Sequence, residues 1–254
     1  MGPFGELFER QPAAADVPEG LPLVISLTGF TDAGGASSQL NEFFRDELRP
    51  EPLIVFNNDI LLDYRARRPL VYFDQDHLTA YRPASLKLSI ADDGVGQRFL
   101  VLAGYEPDFG WDTFAAAVVE LAEEFDVSSV TWVHSIPMPV PHTRPLGMTV
   151  SGNRRELIDV HSVWRPHTQV PATIGHLLEL RFGEAGLSVA GFVLLVPHYL
   201  ADTEHPGVAV AALEAIGIAT GLALTRDEMR EASREFLAKI QLQIEGNDEL
   251  NRMV

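Results

Sequence analysis

Two kinds of apolar run alternate along the chain. Short, nearly unbroken runs at 23–27, 53–56, 127–133 and 188–196 predict strands buried on both faces. Longer stretches with apolar residues every third or fourth position predict helices over 36–48, 113–125, 174–182 and 205–218, and a short one near 154–157. The runs 86–90 and 98–102 flank Asp92-Asp93-Gly94-Val95-Gly96, a hairpin signature because glycines after acids supply φ > 0. The run 70–73 is strand-like and ends at Asp74 and Asp76. Strands interleaved with helices indicate an α/β class.

Both ends depart from this rhythm. Residues 1–20 are broken by Pro3, Pro12 and Pro18 and are expected to form a loose arm, docked locally by Phe4, Leu7 and Phe8. The body of the α/β domain is expected over 21–222, and 223–254 as a C-terminal helical extension. Met229, Ala232, Phe236, Ile240 and Ile244 make one apolar stripe there, and Thr225 with Glu228 has capping-box spacing. Such a stripe must bury itself against its own domain or another subunit.

The stretch 133–147 organises the candidate chemistry. Pro137, Pro139, Pro141 and Pro145 fix φ and remove donors at near-alternate positions, which forbids a helix and forbids a central strand. A stiff loop leaving a strand end is expected, where open α/β sheets hold ligands and partners. It presents His142, Thr143 and Arg144 with little ordering cost, although a purely structural connection fits the same residues. Thr28 to Ala36 forms a strand–glycine turn–helix unit. Gly34 and Gly35 amides there could approach an anion, but the spacing is neither GxGxxG nor a Walker sequence, so a tight turn capped by Asp32 is the simpler reading.

Arg65 and Arg68 belong to the one dense basic cluster and could grip a carboxylate or phosphate, or pair with nearby acids on a solvated face. Glu106 and Trp111 sit in the loop that opens the 113–125 helix, with Trp111 read foremost as a packing residue. His198 follows the 188–196 strand in another strand-end turn.

Composition narrows the function classes. The chain has 254 residues, 46% apolar, with a net charge of −17 from 36 acids against 19 bases. That argues against nucleic-acid and anionic-membrane surfaces, which need a basic footprint. With no cysteine, thiolate catalysis and cysteine-held metals are impossible. The first residues lack an apolar signal region and the run 187–196 is too short to span a bilayer, so a cytoplasmic protein is expected. No GxSxG, HExxH, kinase or EF-hand motif occurs, the eight histidines have no metal spacing, and no cofactor or metal is expected.

The motifs GFTDAGGA, DYRARRP, GYEPDFGW, PHTRP, PATIGHLLELR and VPHYLADTEHP occur in an order that resembles the proteasome assembly chaperone two family, most of all its actinobacterial branch. The resemblance runs from about Leu21 to the final helix. It implies a phosphorylase-like three-layer α/β sandwich with a mostly parallel sheet. It also implies a non-enzymatic homo-oligomer, with a trimer as the working state, and a protein client of unknown identity. Some relatives engage proteasomes through a tail with a penultimate Tyr; this chain ends Arg252-Met253-Val254, a departure from that pattern. The alternative expectation is a nucleoside phosphorylase- or hydrolase-like enzyme, with Gly34, Gly35, Arg65 or Arg68, His142 and Arg144 converging at strand ends.

Overall fold

A computed structural model of the chain describes residues 4–224 and 227–245. Its strands are β1 (Phe8–Arg10), β2 (Pro22–Thr28), β3 (Glu51–Phe56), β4 (Leu70–Asp74), β5 (His77–Arg82), β6 (Lys87–Asp92), β7 (Arg98–Tyr105), β8 (Ser129–Met138), β9 (Gly147–Gly152) and β10 (Val189–Pro197). Its helices are α1 (Ala36–Phe43), α2 (Asn58–Leu61), α3 (Trp111–Glu124), α4 (Arg155–His161), α5 (Ile174–Glu184), α6 (Pro206–Thr220) and α7 (Asp227–Glu245). Eight strands form one mixed sheet in the order β1-β3-β6-β7-β2-β8-β10-β9, and β4 with β5 form a separate hairpin. The run β7-β2-β8-β10 is parallel, with antiparallel strands on both sides.

Both faces of the sheet are covered, which is why its central strands read as unbroken apolar runs. Leu23, Ile25, Leu100, Leu102 and Trp132 point into one core with Phe114, Leu121 and Phe182 of α3 and α5. The alternate residues Val24, Val101, Val133 and Phe192 point into the other, with Leu40 of α1 and Val208 and Ala212 of α6. The three-layer α/β sandwich is therefore the fold, with α7 added at the C-terminal side against α6.

The structure departs from the pattern in several places, the short helix α2 and strand β5 among them. Residues 4–20 are fastened rather than loose. Leu7 is buried, β1 pairs antiparallel with β3, and Arg10 binds Glu124 through two bonds of 2.7 and 2.6 Å. The helix expected over 36–48 becomes a single π turn after Phe43 and stops at Arg49, φ 49°. Strand β9 pairs antiparallel with β10. Most informative, β8 continues through Pro137 to Met138, so prolines did not exclude a strand there. Its pairing with β2 ends at Ile25↔Trp132 whereas β10 follows it to Met138. One side of β8 is thus free of β2 where Pro137 stands, the edge-like setting in which a missing N–H is tolerated.

Candidate functional site

Four loops leave the C-terminal ends of the parallel strands: after β2, β7, β8 and β10. Between the first three and the start of α5 lies a cavity of about 20 Å³ lined by Gly29, Phe30, Glu106, His134, Thr173 and Ile174, with Trp132 as a wall. That volume holds about one water. Glu106 is 8% exposed, and its Oε1 accepts the backbone N–H of Ile174 at 2.5 Å. The Phe30 amide also supports this carboxylate. Burial pushes the Glu106 carboxyl above its ordinary pKa, against the pull of these amides and of Arg67. Gly29 is required here, because a Cβ on it would stand 2.2 Å from Glu106 Oε2.

His134 faces the same cavity. It is 7% exposed, and its Nε2 lies 2.9 Å from Thr31 Oγ1, whose hydroxyl lies 3.3 Å from the Ser135 carbonyl. Burial, reinforced by His176, lowers its pKa to about 4, so the ring is neutral at pH 7. His176 accepts the Thr173 N–H through Nδ1 at 3.0 Å and closes the capping box of α5. Its ring meets Trp132 edge-on at 5.1 Å, and Trp132 in turn donates to Glu179 at 2.7 Å. A buried acid, two low-pKa histidines and a tryptophan form one cluster. His134 and His176 were missed in sequence because neither has motif spacing; the only signal was a histidine inside an otherwise apolar strand.

The glycine turn is filled from within. Gly34 N–H donates to Ala201 at 2.7 Å and Gly35 N–H to Asp32 at 2.8 Å. The Asp32 carboxylate accepts the amides of Ser37 at 2.7 Å and Ser38 at 2.9 Å, as the capping reading expects. These amides are spent on the protein itself, so the anion-cradle reading fails.

The basic cluster also resolves differently. Arg65 and Arg68 are exposed, whereas Arg67 is the inward arginine. Arg67 donates to the Glu106 carbonyl at 2.7 Å, pairs with Asp108 and lies over the Tyr105 ring at 5.2 Å. Trp111 is half-buried and donates to the Pro107 carbonyl at 2.6 Å, a packing role.

His142 is separated from its sequence neighbours by burial. Thr143, Arg144 and His198 are exposed, but His142 is buried. Its backbone N–H donates to the Tyr199 hydroxyl at 2.8 Å, Nδ1 lies 2.9 Å from the same hydroxyl, and Nε2 lies 3.2 Å from Gln241 of α7. Helix α7 is further seated by Phe236, stacked on His205 at 4.6 Å, and by the Arg230–Glu214 bond of 3.2 Å to α6. Of its stripe, Met229, Phe236 and Ile240 are half-buried, with Met229 and Phe236 against their own chain, while Ala232 is exposed. Thr225 and the terminal Arg252-Met253-Val254 lie outside the described residues, as does the Ile244 side chain.

Among the described residues no group of three or more acids and histidines could hold a metal ion, and no helix is long and apolar enough to cross a membrane. No curated protein matches the chain. Solved structures do. A Mycobacterium tuberculosis protein of unknown function is 38% identical, with 98% of this chain and 86% of that one covered and a TM-score of 0.89. A Corynebacterium glutamicum protein of unknown function is 30% identical over 98% and 94%, TM-score 0.92. A Mycobacterium tuberculosis proteasome-assembly chaperone homologue shares the fold at 17% identity over 92% and 99%, TM-score 0.82. The PAC2 family model matches residues 26–244, and with relatives this similar over nearly its whole length the chain belongs to the PAC2 family.

Proposed function

We propose that this chain is an oligomeric, non-enzymatic, assembly-chaperone-like protein of the cytoplasm. It acts by binding protein surfaces, its own copies first and a protein client second, with a trimer as its working state. One observation carries this reading. The β4–β5 hairpin stands outside the sheet and leaves Leu70, Val71, Tyr72, Phe73, Leu78 and Tyr81 uncovered, with Leu70 73% and Phe73 65% exposed. Soluble monomers rarely expose so many contiguous large apolar side chains. A two-stranded hairpin is also marginal in water unless something packs on it. The fold shared with a proteasome-assembly chaperone homologue supports the same direction.

The second reading, a phosphorylase- or hydrolase-like enzyme at the strand ends, is favoured by Glu106 and His134 sharing a cavity. Its volume of about 20 Å³ admits a water and no nucleoside.

Sedimentation velocity tests the proposal. The wild type should run as one discrete species heavier than its 28.0 kDa monomer. Tyr72→Asp with Phe73→Asp should run as a monomer with an unchanged far-UV circular dichroism spectrum. A wild type that stays monomeric at every concentration would sink the proposal. Nucleoside phosphorolysis or hydrolysis that His134→Gln abolishes would establish the enzyme instead.

A further inference from the structure

The cavity shared by Glu106 and His134 presents acceptors whose neighbouring donors are already engaged. The amides of Ile174 and Phe30 both turn onto the Glu106 carboxylate. Thr173 is taken up in the capping box with His176. Thr31 has one hydroxyl proton, and it goes to the Ser135 carbonyl. The neutral ring of His134 therefore carries its proton on Nε2, 2.9 Å from Thr31 Oγ1, and Nδ1 is left as a bare acceptor. His134 is only 7% exposed and lines the cavity, and no described residue donates to that nitrogen.

The acid is incompletely matched as well. A carboxylate accepts about four hydrogen bonds, and the two amides leave room for more. A buried carboxylate is costly unless a cation faces it. Among the described residues none pairs with it. Arg67 donates to the backbone carbonyl of Glu106 and pairs with Asp108 instead. The second carboxylate oxygen, Oε2, lies beside Gly29. Gly29 and Phe30 are the exposed part of the lining, Phe30 at 66%, so the mouth of the cavity is there.

We infer that this cavity binds the ammonium group of a primary amine. Such a head is about the size of the one water that 20 Å³ holds. It has three donors and no acceptor, which matches Glu106 Oε2 and His134 Nδ1. A water there would turn lone pairs toward a site without a free donor. The head also supplies the missing counter-charge. Trp132 as a wall and Phe30 at the mouth offer aromatic rings, which attract cations. The alkyl stem leaves past Gly29 and Phe30. A net charge of −17 draws cations to the protein. The inference stands apart from self-association and from any client.

Nitrogen NMR of the imidazoles and calorimetry test it. Methylammonium chloride is the probe, and tetramethylammonium chloride is the control with the same charge and no N–H. In the free protein His134 should show a protonated Nε2 and a bare Nδ1. Methylammonium should move the Nδ1 resonance saturably, and tetramethylammonium should not. Glu106→Gln keeps an acceptor for Ile174 and should weaken methylammonium binding about tenfold or more. Phe30→Ala, at an exposed side chain, should weaken it about threefold. Should the Glu106 variant unfold, Phe30→Ala and the two salts still decide. N-acetyl-lysine methylamide separates two sources of the same group. Binding at least as tight as methylammonium assigns the guest to a lysine of a protein, and weaker binding assigns it to a free small amine; either result upholds the ammonium site. A proton on Nδ1 of the free ring, an equal response to both salts, or no saturable response to methylammonium overturns it and leaves a cavity for water alone.

Discussion

The carboxylate of Glu106 caps a helix that begins 68 residues later, with Oε1 2.5 Å from the amide nitrogen of Ile174. A buried acid at a helix N-terminus meets favourable dipoles and unfavourable desolvation together. Here burial wins and raises the carboxyl pKa. A raised folded-state pKa means that the folded protein binds the proton more tightly than the unfolded chain. The Glu106 contribution is therefore full in acid and is lost as pH rises through and beyond the ordinary carboxylate range. Glu106→Gln keeps an acceptor for Ile174 without the charge. It should stay within about 1 kcal/mol of wild type and flatten that part of the pH profile. Glu106→Ala leaves buried amides without a partner and should cost about 2–3 kcal/mol. Urea titrations at several pH values measure both.

His134 and His205 pull the other way. Burial holds each near a pKa of about 4, against 6.5 for a free histidine, with His176 adding to the effect at His134 and His142 at His205. The unfolded chain binds these protons first, so stability is full above about pH 6.5 and falls as pH drops toward 4. Each ring accounts for on the order of 3 kcal/mol across that window. Histidine NMR titrations should show both rings neutral at pH 6. The His134→Gln variant should lose stability less steeply with acid than the wild type.

The loop after β8 divides into a structural and an exposed half. His142→Ala removes one seat of α7 and should cost about 1–2 kcal/mol, with faster amide hydrogen exchange in α7. Arg144→Ala, at an exposed side chain, should stay within about 0.5 kcal/mol. Equal effects at the two positions would contradict this division.

The two turn glycines should differ as well. Both have φ 68°, but a Cβ on Gly34 would meet Val208 Cγ2 at 2.8 Å, while on Gly35 the nearest atom is the Gln39 amide nitrogen at 3.5 Å, an ordinary contact. Gly35→Ala should cost about 1–2 kcal/mol from the left-handed backbone alone. Gly34→Ala should cost more by about 1–3 kcal/mol of overpacking against α6. Thermal melts of the two variants decide it.

Much of the fold was legible because its signals are local. A run such as Leu23-Val24-Ile25 reports burial on both faces, and the three-to-four spacing of 113–125 or 174–182 reports a helix with one buried side. Asp93, holding the amides of Val95, Gln97 and Ala223, shows that the hairpin read from its glycines is also a tertiary anchor, which no spacing could reveal. The candidate site was legible in its loops and much less so in its members. Glu106 stood among the expected residues, but the arginine beside it is Arg67 rather than Arg65 or Arg68, and the histidine that faces its cavity is His134.

By itself the sequence determined the class of fold, the positions of the main strands and helices, the exclusion of thiol chemistry and, through ordered motifs, the family. These depend on side-chain size, polarity and backbone freedom, which each residue carries with it. Only the tertiary structure decided that Pro137 lies in a strand, that the Gly34 and Gly35 amides are already spent, that α7 contacts α6 and the loop after β8, and that no described residue covers the apolar side chains of the β4–β5 hairpin. Those outcomes depend on which distant group arrives at a hydrogen bond or an apolar face first. The bonds concerned join Gly34 to Ala201, His142 to Gln241 and Glu106 to Ile174, partners that no local pattern brings together.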